Sequence, residues 1–397
     1  MKRGTLRLAT RGSDLALRQT ASVRDALADR RFEVDLMEVE TRGDQIRDEL
    51  IHRLGKTGAF VRALDERVLD GDADAAVHSM KDMPTERPAD LVVTGVPERA
   101  PATDLLLTPD GTSLENLPAD AVVGTSSLRR KAQILAARPD LRVEPLRGNV
   151  DTRVEKLLAP ELQREHAERV DDDREKKGNA AEASASGEEY ETEFDRSIDE
   201  WFDDLSEIQR RALERDVETE YDAIVLAEAG LQRSGLLHRV EYERLPPTEF
   251  VPSPGQGAIA VTTRSDHEQL DRIREALDDP RTRVTTTVER TVLAELGGGC
   301  IAPIGVHAKL QGEYVHVTAR VLSADGTEEV KASRDLPVRD HANAAAEFAD
   351  SLADRGAADL IAAARDDADA DSVGGGARAE TDDERSELDA DGEVDGA

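Results

Sequence analysis

Several short stretches of this chain hold side chains suited to chemistry on an anionic molecule. In Gly124-Thr125-Ser126-Ser127-Leu128-Arg129-Arg130 an apolar strand passes into a helix. Backbone N–H groups, three hydroxyls and the helix dipole converge there and can receive an anion. The plainer reading is an ordinary N-cap followed by two solvated arginines. Arg147-Gly148-Asn149 reads as a turn with Arg153 just beyond it, and an arginine on a turn can equally be simply exposed. Arg11 and Ser13 close the first strand, the end at which open α/β sheets bind ligands, although Ser13 also suits a helix N-cap. His78-Ser79-Met80-Lys81-Asp82 follows a short apolar strand. Lys81 and Asp82 read either as a surface ion pair or, set in a cleft, as a site with Asp82 for general acid. Gly297-Gly298-Gly299-Cys300 places the single cysteine after a run that permits close backbone approach. Its thiol is either a small buried apolar group or a reachable nucleophile.

The elements that must position these residues alternate between strand and helix. Leu6 and Leu8 alternate as in a strand, a helix is expected from Ser13 to Ala28, and a strand from Val34 to Val39. Ala59 to Leu69 puts Phe60, Leu64 and Val68 on one helical face, and Ala73 to His78 is a short buried strand. Such alternation predicts an α/β sheet, and Pro97 and Pro101 bracket a linker out of it. A second α/β run holds a strand from Ala121 to Gly124, a helix from Leu128 to Arg138 and a strand from Tyr221 to Ala227. The chain crosses back near Pro252-Ser253-Pro254-Gly255-Gln256-Gly257. The expected domains are 1–98 with about 252–278, then 103–250, then 280–365. The last has a helix from Thr287 to Leu296, strands around Val315 to Val321, an Asp325-Gly326 turn and a helix to about Arg365.

Charge is unevenly spread. The 397 residues carry a formal net charge of −33. Residues 160–220 hold 22 acids against 9 bases, and residues 366–397 hold 13 against 2. The rest is only mildly acidic, an unsuitable surface for nucleic acid, which attracts positive charge. Acids on the helices of the main body, and arginine in preference to lysine, fit a protein kept soluble in concentrated salt. The first part of the acidic insertion reads as low in complexity and mobile. Its second part, with Phe194, Ile198, Trp201, Phe202, Leu205, Ile208 and Leu213, reads as one amphipathic helix covering its own domain or a partner. The tail 366–397 is expected to be disordered. No apolar run nears the ~18 residues of a membrane span, and no apolar targeting segment precedes the first strand, so a cytoplasmic protein is expected. One cysteine excludes an intrachain disulfide framework, and no metal-ligand or P-loop spacing occurs.

In order, RLATRGSDLAL, HSMKD, GTSSLRR, LRGNVDTR, YDAIVLAEAGL, PGQGA and GGGCIAPIG resemble the porphobilinogen deaminase (hydroxymethylbilane synthase) family over residues 5–158 and 221–362. The resemblance implies three α/β domains. The first two are like type II periplasmic binding proteins with a cleft between them, and the third is a small α+β domain carrying the cofactor cysteine. It implies a dipyrromethane bound by a thioether to Cys300. Four porphobilinogens would be added head to tail on it, with ammonia lost each time, before hydroxymethylbilane is freed. Each pyrrole carries an acetate and a propionate, which arginine binds with a two-pronged fork. By the matched motifs, Arg11, Arg129, Arg130, Arg147, Arg153 and Arg233 would hold these carboxylates. Ser13, Thr125, Ser126 and Ser127 would add neutral donors, Lys81 a point charge and Gln19 a lesser polar contact. Asp82 matches the catalytic carboxylate, placed to stabilise the cationic pyrrole left when ammonia departs. The family is usually monomeric and needs no metal. The sequence departs from it at Arg53, at Lys56-Thr57 in a loop that is a mobile lid in the family, and at Asp14, and the insertion and tail have no counterpart. Two other classes stay open: a two-lobed anion-binding protein without catalysis, which leaves Asp82 and Cys300 without a role, and an acidic interaction protein, which leaves the motif-rich body unexplained.

Overall fold

A computed structural model describes residues 5–39, 59–186, 194–298 and 302–374, which build three sheets with helices packed on them. The chain starts with β1 (Thr5–Arg11), α1 (Asp14–Asp29), β2 (Glu33–Val39), α2 (Ala59–Leu69) and β3 (Ala75–Ser79). A single 3-10 turn, Met80–Asp82, ends β3, and β4 (Leu91–Gly95) follows. Next come β5 (Asp104–Leu107), β6 (Val122–Gly124), α3 (Leu128–Ala137), β7 (Arg142–Glu144) and the long α4 (Val150–Ser186). Two short helices, α5 (Ile198–Asp204) and α6 (Glu207–Leu213), lead to β8 (Ala223–Ala227), α7 (Glu228–Ser234) and β9 (Tyr242–Arg244). Then follow β10 (Ile259–Arg264), α8 (Leu270–Leu277) and α9 (Pro280–Glu295). The chain closes with β11 (Ile304–Gln311), β12 (Tyr314–Leu322), β13 (Glu329–Pro337), α10 (His341–Ala353) and α11 (Ala357–Gly374).

The first sheet has the order β2-β1-β3-β10-β4 and the second β7-β6-β8-β5-β9. Each joins three parallel strands to an antiparallel one that arrives from a crossing between the sheets: β10 in the first, β5 in the second. In β5, Leu106 faces one core and Leu105 and Leu107 the other, the two-residue period of a strand buried on both faces. The third sheet, β11-β12-β13, is antiparallel and buries Val317 and Ala319 against Val292 of α9 and Phe348 of α10. It is therefore covered by helices on one face, as an α+β layer requires.

The third unit is stapled to both crossings. Glu289 of α9 is fully buried and takes a bidentate ion pair from Arg99, at 2.7 and 2.9 Å. The same carboxylate accepts the N–H of Gly255 at 2.7 Å and that of Ala308 at 2.8 Å. Arg99 stands on the outgoing crossing, Gly255 on the returning one and Ala308 on β11.

Five sequence expectations are corrected here. The start of the acidic insertion is helix as far as Ser186, because α4 runs on through Ala, Glu, Lys and Arg, all strong helix formers. The amphipathic helix expected over 194–213 is two helices. Ser197 with Glu200 and Ser206 with Gln209 each form a capping box, and the second starts a new helix where the first would have continued. The helix expected from Thr287 begins at Pro280, an N1 proline behind the cap Asp279, whose side chain accepts the Thr282 N–H at 2.7 Å. The tail is helical to Gly374, and Gly356, with φ of +96°, separates α10 from α11 where one helix to Arg365 was expected. Residues 375–397 lie outside the described residues, as does the loop with Arg53, Lys56 and Thr57.

Candidate active site

Ligands of open α/β sheets bind at the carboxyl ends of the strands, and three such ends carry the candidate residues here. Arg11 ends β1 and Ser13 caps α1 without a side-chain bond, so its hydroxyl is not spent on the helix. Gln19 lies buried on α1. From β3 the chain enters the turn with Lys81 and Asp82, fixed from both sides. The Met80 N–H bonds to Ala258 O at 3.0 Å, and Arg290 of α9 donates to the carbonyls of Met80, Met83 and Pro84 at 3.1, 3.2 and 2.7 Å. The third unit thus caps the turn that holds the candidate acid, leaving the Asp82 side chain exposed.

Lys81 joins the two lobes electrostatically. Burial pushes its ammonium below the usual lysine value; Asp82 and Asp104 oppose this, while Arg130 and Arg153 of the second lobe add to it. Arg153 is pushed down to about 10, first by burial and then by Arg130, against the pull of Asp82. Its Nε donates to Gly148 O at 2.8 Å. Gly148 has φ of +112°, and a Cβ there would lie 2.5 Å from the Thr152 side chain, so the turn between the two arginines needs glycine. Arg147 is half-buried with no ion pair or hydrogen bond to the described residues. Lys81 and Arg153 thus bring positive charge from both lobes to one exposed carboxylate, Asp82, while Arg130 acts on both of them.

Other candidates turn inward. Arg129 is buried, donating to Asp104 Oδ2 and Val251 O, both at 2.8 Å. These two bonds fix the guanidinium beside Asp104, and its buried Nε has no hydrogen-bond partner among the described residues. Arg130 donates to Asp104 Oδ1 at 2.7 and 3.2 Å and to Val225 O at 3.0 Å, so it backs the site from below. Burial would raise the Asp104 carboxyl, but Arg129 and Arg130 together hold it below the usual carboxylate range. Ser126 Oγ donates to Leu146 O at 2.6 Å, which holds it against the chain just before Arg147. Thr125 is buried and accepts the Ser127 N–H at 3.2 Å. Ser127 caps α3, accepting the Arg130 N–H at 3.5 Å, as the plainer reading had it. Arg233 reaches Gly257 O at 2.7 Å, tying α7 to the returning crossing. Cys300 lies outside the described residues. Sequence reasoning missed Asp104, Glu289 and Arg290; an acid opening the apolar run Asp104-Leu105-Leu106-Leu107 was the available signal for the first.

Comparison with known proteins bears on this arrangement. The family description "Porphobilinogen deaminase, dipyromethane cofactor binding domain" matches residues 6–164 and 206–272. "Porphobilinogen deaminase, C-terminal domain" matches residues 284–355. A "Probable porphobilinogen deaminase" of Halobacterium salinarum is 54% identical, covering 91% of this chain and 99% of its own. Another, of Methanococcoides burtonii, is 36% identical and covers 89% and 95%. Among solved structures, a periplasmic substrate-binding protein from Coxiella burnetii aligns with 70% of this chain and 94% of its own, at 14% identity and a TM-score of 0.35. No helix among the described residues is long and apolar enough to cross a membrane.

Proposed function

The chain belongs to the porphobilinogen deaminase family, and on that premise we propose that Asp82 is its catalytic carboxylate, with Lys81, Arg147 and Arg153 as the charges that hold the growing pyrrole chain. It is a transferase of tetrapyrrole biosynthesis: four porphobilinogen molecules are joined head to tail on a dipyrromethane cofactor, ammonia leaves at each step, and hydroxymethylbilane is released. The reading without catalysis is not favoured by this membership.

The observation that carries the assignment of residues is the meeting of Lys81 from one lobe and Arg153 from the other at the exposed Asp82. Burial first and the Arg130 charge second lower Arg153, and an anion set beside it would offset both. Arg147, without a protein partner among the described residues, and the Ser13 hydroxyl extend the same preference. Such a surface fits a cofactor and product whose every ring carries two carboxylates. Cys300 would hold the dipyrromethane, which when bound supplies the pyrrole carbon that receives the first substrate. Arg147 and Arg153 would bind ring carboxylates by charge-assisted forks. Arg130, fixed on Asp104, adds positive potential from beneath. Asp82 would face the substrate pyrrole N–H, balancing the positive charge that grows on the ring as ammonia leaves, and would accept the ring proton after the C–C bond forms. Arg11, Gln19, Ser127 and Arg233 complete the proposed contacts at the family positions.

The same proposal makes the protein a cytoplasmic monomer from a salt-loving cell. Support comes from the net charge of −33 and the 54% identity to the Halobacterium salinarum relative. Intact-mass spectrometry of natively prepared protein tests the proposal. A dipyrromethane adduct, absent from Cys300→Ser and coloured by Ehrlich's reagent, is expected; an unmodified, colourless wild-type protein would overturn it.

A further inference from the structure

A cavity of about 290 Å³ lies between the first lobe and α9, and neither Lys81, Asp82 nor any residue of the second lobe lines it. Its floor is apolar: Met80, Met83 and Val96 are buried, with Val93 beside them. Its rim is polar and charged. Thr85 and Arg87 come from the chain that follows the catalytic turn. Thr287, Thr291 and Glu295 come from α9, spaced by four so that they form one helical stripe. Three arginines, Arg87, Arg283 and Arg290, stand against the single acid Glu295, in a chain whose net charge is −33.

Two of the arginines are committed. Arg283 pairs with Asp278, and Arg290 holds the carbonyls of Met80, Met83 and Pro84. The guanidinium of Arg87 makes no hydrogen bond or ion pair with the described residues, and Asp65 acts on it only through space. The hydroxyls of Thr85, Thr287 and Thr291 and the carboxylate of Glu295 are likewise without a hydrogen-bond partner among the described residues. The cavity therefore offers a two-pronged cation and three hydroxyls to carboxylates, one acid to an ammonium group, and an apolar floor to a flat ring. A volume of about 290 Å³ is at the small end for ligand sites, enough for one ring and too little for a chain of four.

We propose that this cavity is a second, inhibitory site for porphobilinogen, whose acetate and propionate meet Arg87 and the threonine hydroxyls while its aminomethyl group meets Glu295. This rests on the reading of Asp82 as the catalytic carboxylate. A carboxylate in the cavity competes with the carbonyls of Met80, Met83 and Pro84 for Arg290. The turn that carries Asp82 then loses its hold on α9, and turnover slows while the cleft itself stays open to substrate.

The test is the initial rate of the holoenzyme over porphobilinogen concentrations from below KM to about a hundredfold above it. The rate is expected to pass through a maximum and then fall to about a third of it or less. Arg87→Gln is expected to abolish the fall or move it to concentrations about tenfold higher, with kcat/KM at low substrate within about twofold of wild type. Thr291→Val, which keeps the shape and removes one hydroxyl, is expected to weaken the inhibition about fivefold. A wild-type rate that climbs to a plateau and stays there overturns the proposal. So does a fall that Arg87→Gln leaves unmoved, which would place the inhibition in the cleft. Should Arg87→Gln fail to fold, Thr291→Val decides by the same measure. Asp82→Asn, assayed in parallel, separates the two readings. Near-normal turnover there sinks the catalytic assignment, whereas lost turnover beside an uninhibited wild type sinks only the second site.

Discussion

Replacing Asp104 by asparagine is the most informative single change to the frame of the site. The side chain is 1% exposed and accepts from four donors: Arg129 Nη2, Arg130 Nε and Nη2, and Gln256 Nε2 at 2.8 Å. Asparagine keeps the shape and removes the charge, leaving two buried guanidiniums without a counter-ion. Removing one partner of a buried pair typically costs about 3–5 kcal/mol. That is a large part of the ~5–15 kcal/mol that holds a domain folded. In urea, with a slope near ~2 kcal/mol per molar, the midpoint should fall by about 2 M. The pH dependence has a definite sign. Asp104 sits below its unfolded value of 3.8, so its stabilisation is complete above that pH and is lost as pH falls through the folded value. The gap between wild type and Asp104→Asn should stay constant from neutral pH to about pH 5, then narrow as acid is added. A loss under about 1 kcal/mol at pH 7, the scale of a surface pair, would refute the claim that this carboxylate organises the second lobe.

Two further outcomes follow from the cleft. Asp82→Asn, at an exposed position on a turn held by backbone bonds, should leave the urea midpoint nearly unchanged while lowering kcat by about 10²-fold or more; near-normal turnover would mean another group handles the proton. Because burial lowers the Lys81 ammonium, its positive charge is lost at lower pH than that of a free lysine, so KM should climb on the alkaline side below pH 10.5. Lys81→Arg should move that limb upward, and a KM profile identical in both proteins would count against a role for Lys81.

The parts of the fold legible in the sequence were those with strong local signals. The Ala59–Leu69 helix, the apolar strand before Lys81 and the Asp325-Gly326 turn, where Gly326 has φ of +77°, need only their own residues to be read. The family motifs likewise carried the membership of the chain in its family. What stayed hidden depends on partners distant in sequence. Arg129 and Arg130 look alike in GTSSLRR, yet helix geometry and an aspartate 25 residues earlier turn both toward the interior. The bond from Ser126 to Leu146, twenty residues later, is likewise visible only in the fold. The break between α5 and α6 was readable in principle, since Ser206 and Gln209 spell a capping box, but the apolar period running through them concealed it.

The knot at Glu289 fixes where the two crossings and the third unit meet. Both strands of chain that pass between the lobes touch this one carboxylate, and α9, which bears it, ends five residues before Cys300. Close packing leaves no slack: a Cβ on Gly305 would lie 2.3 Å from Val251 O, and one on Gly257 the same distance from Ala100 O. A change of angle between the lobes must therefore pivot around this point rather than carry it along. The three sheets are thus hinged at one buried charge, and the axle on which the two lobes turn is a carboxylate rather than an apolar seam.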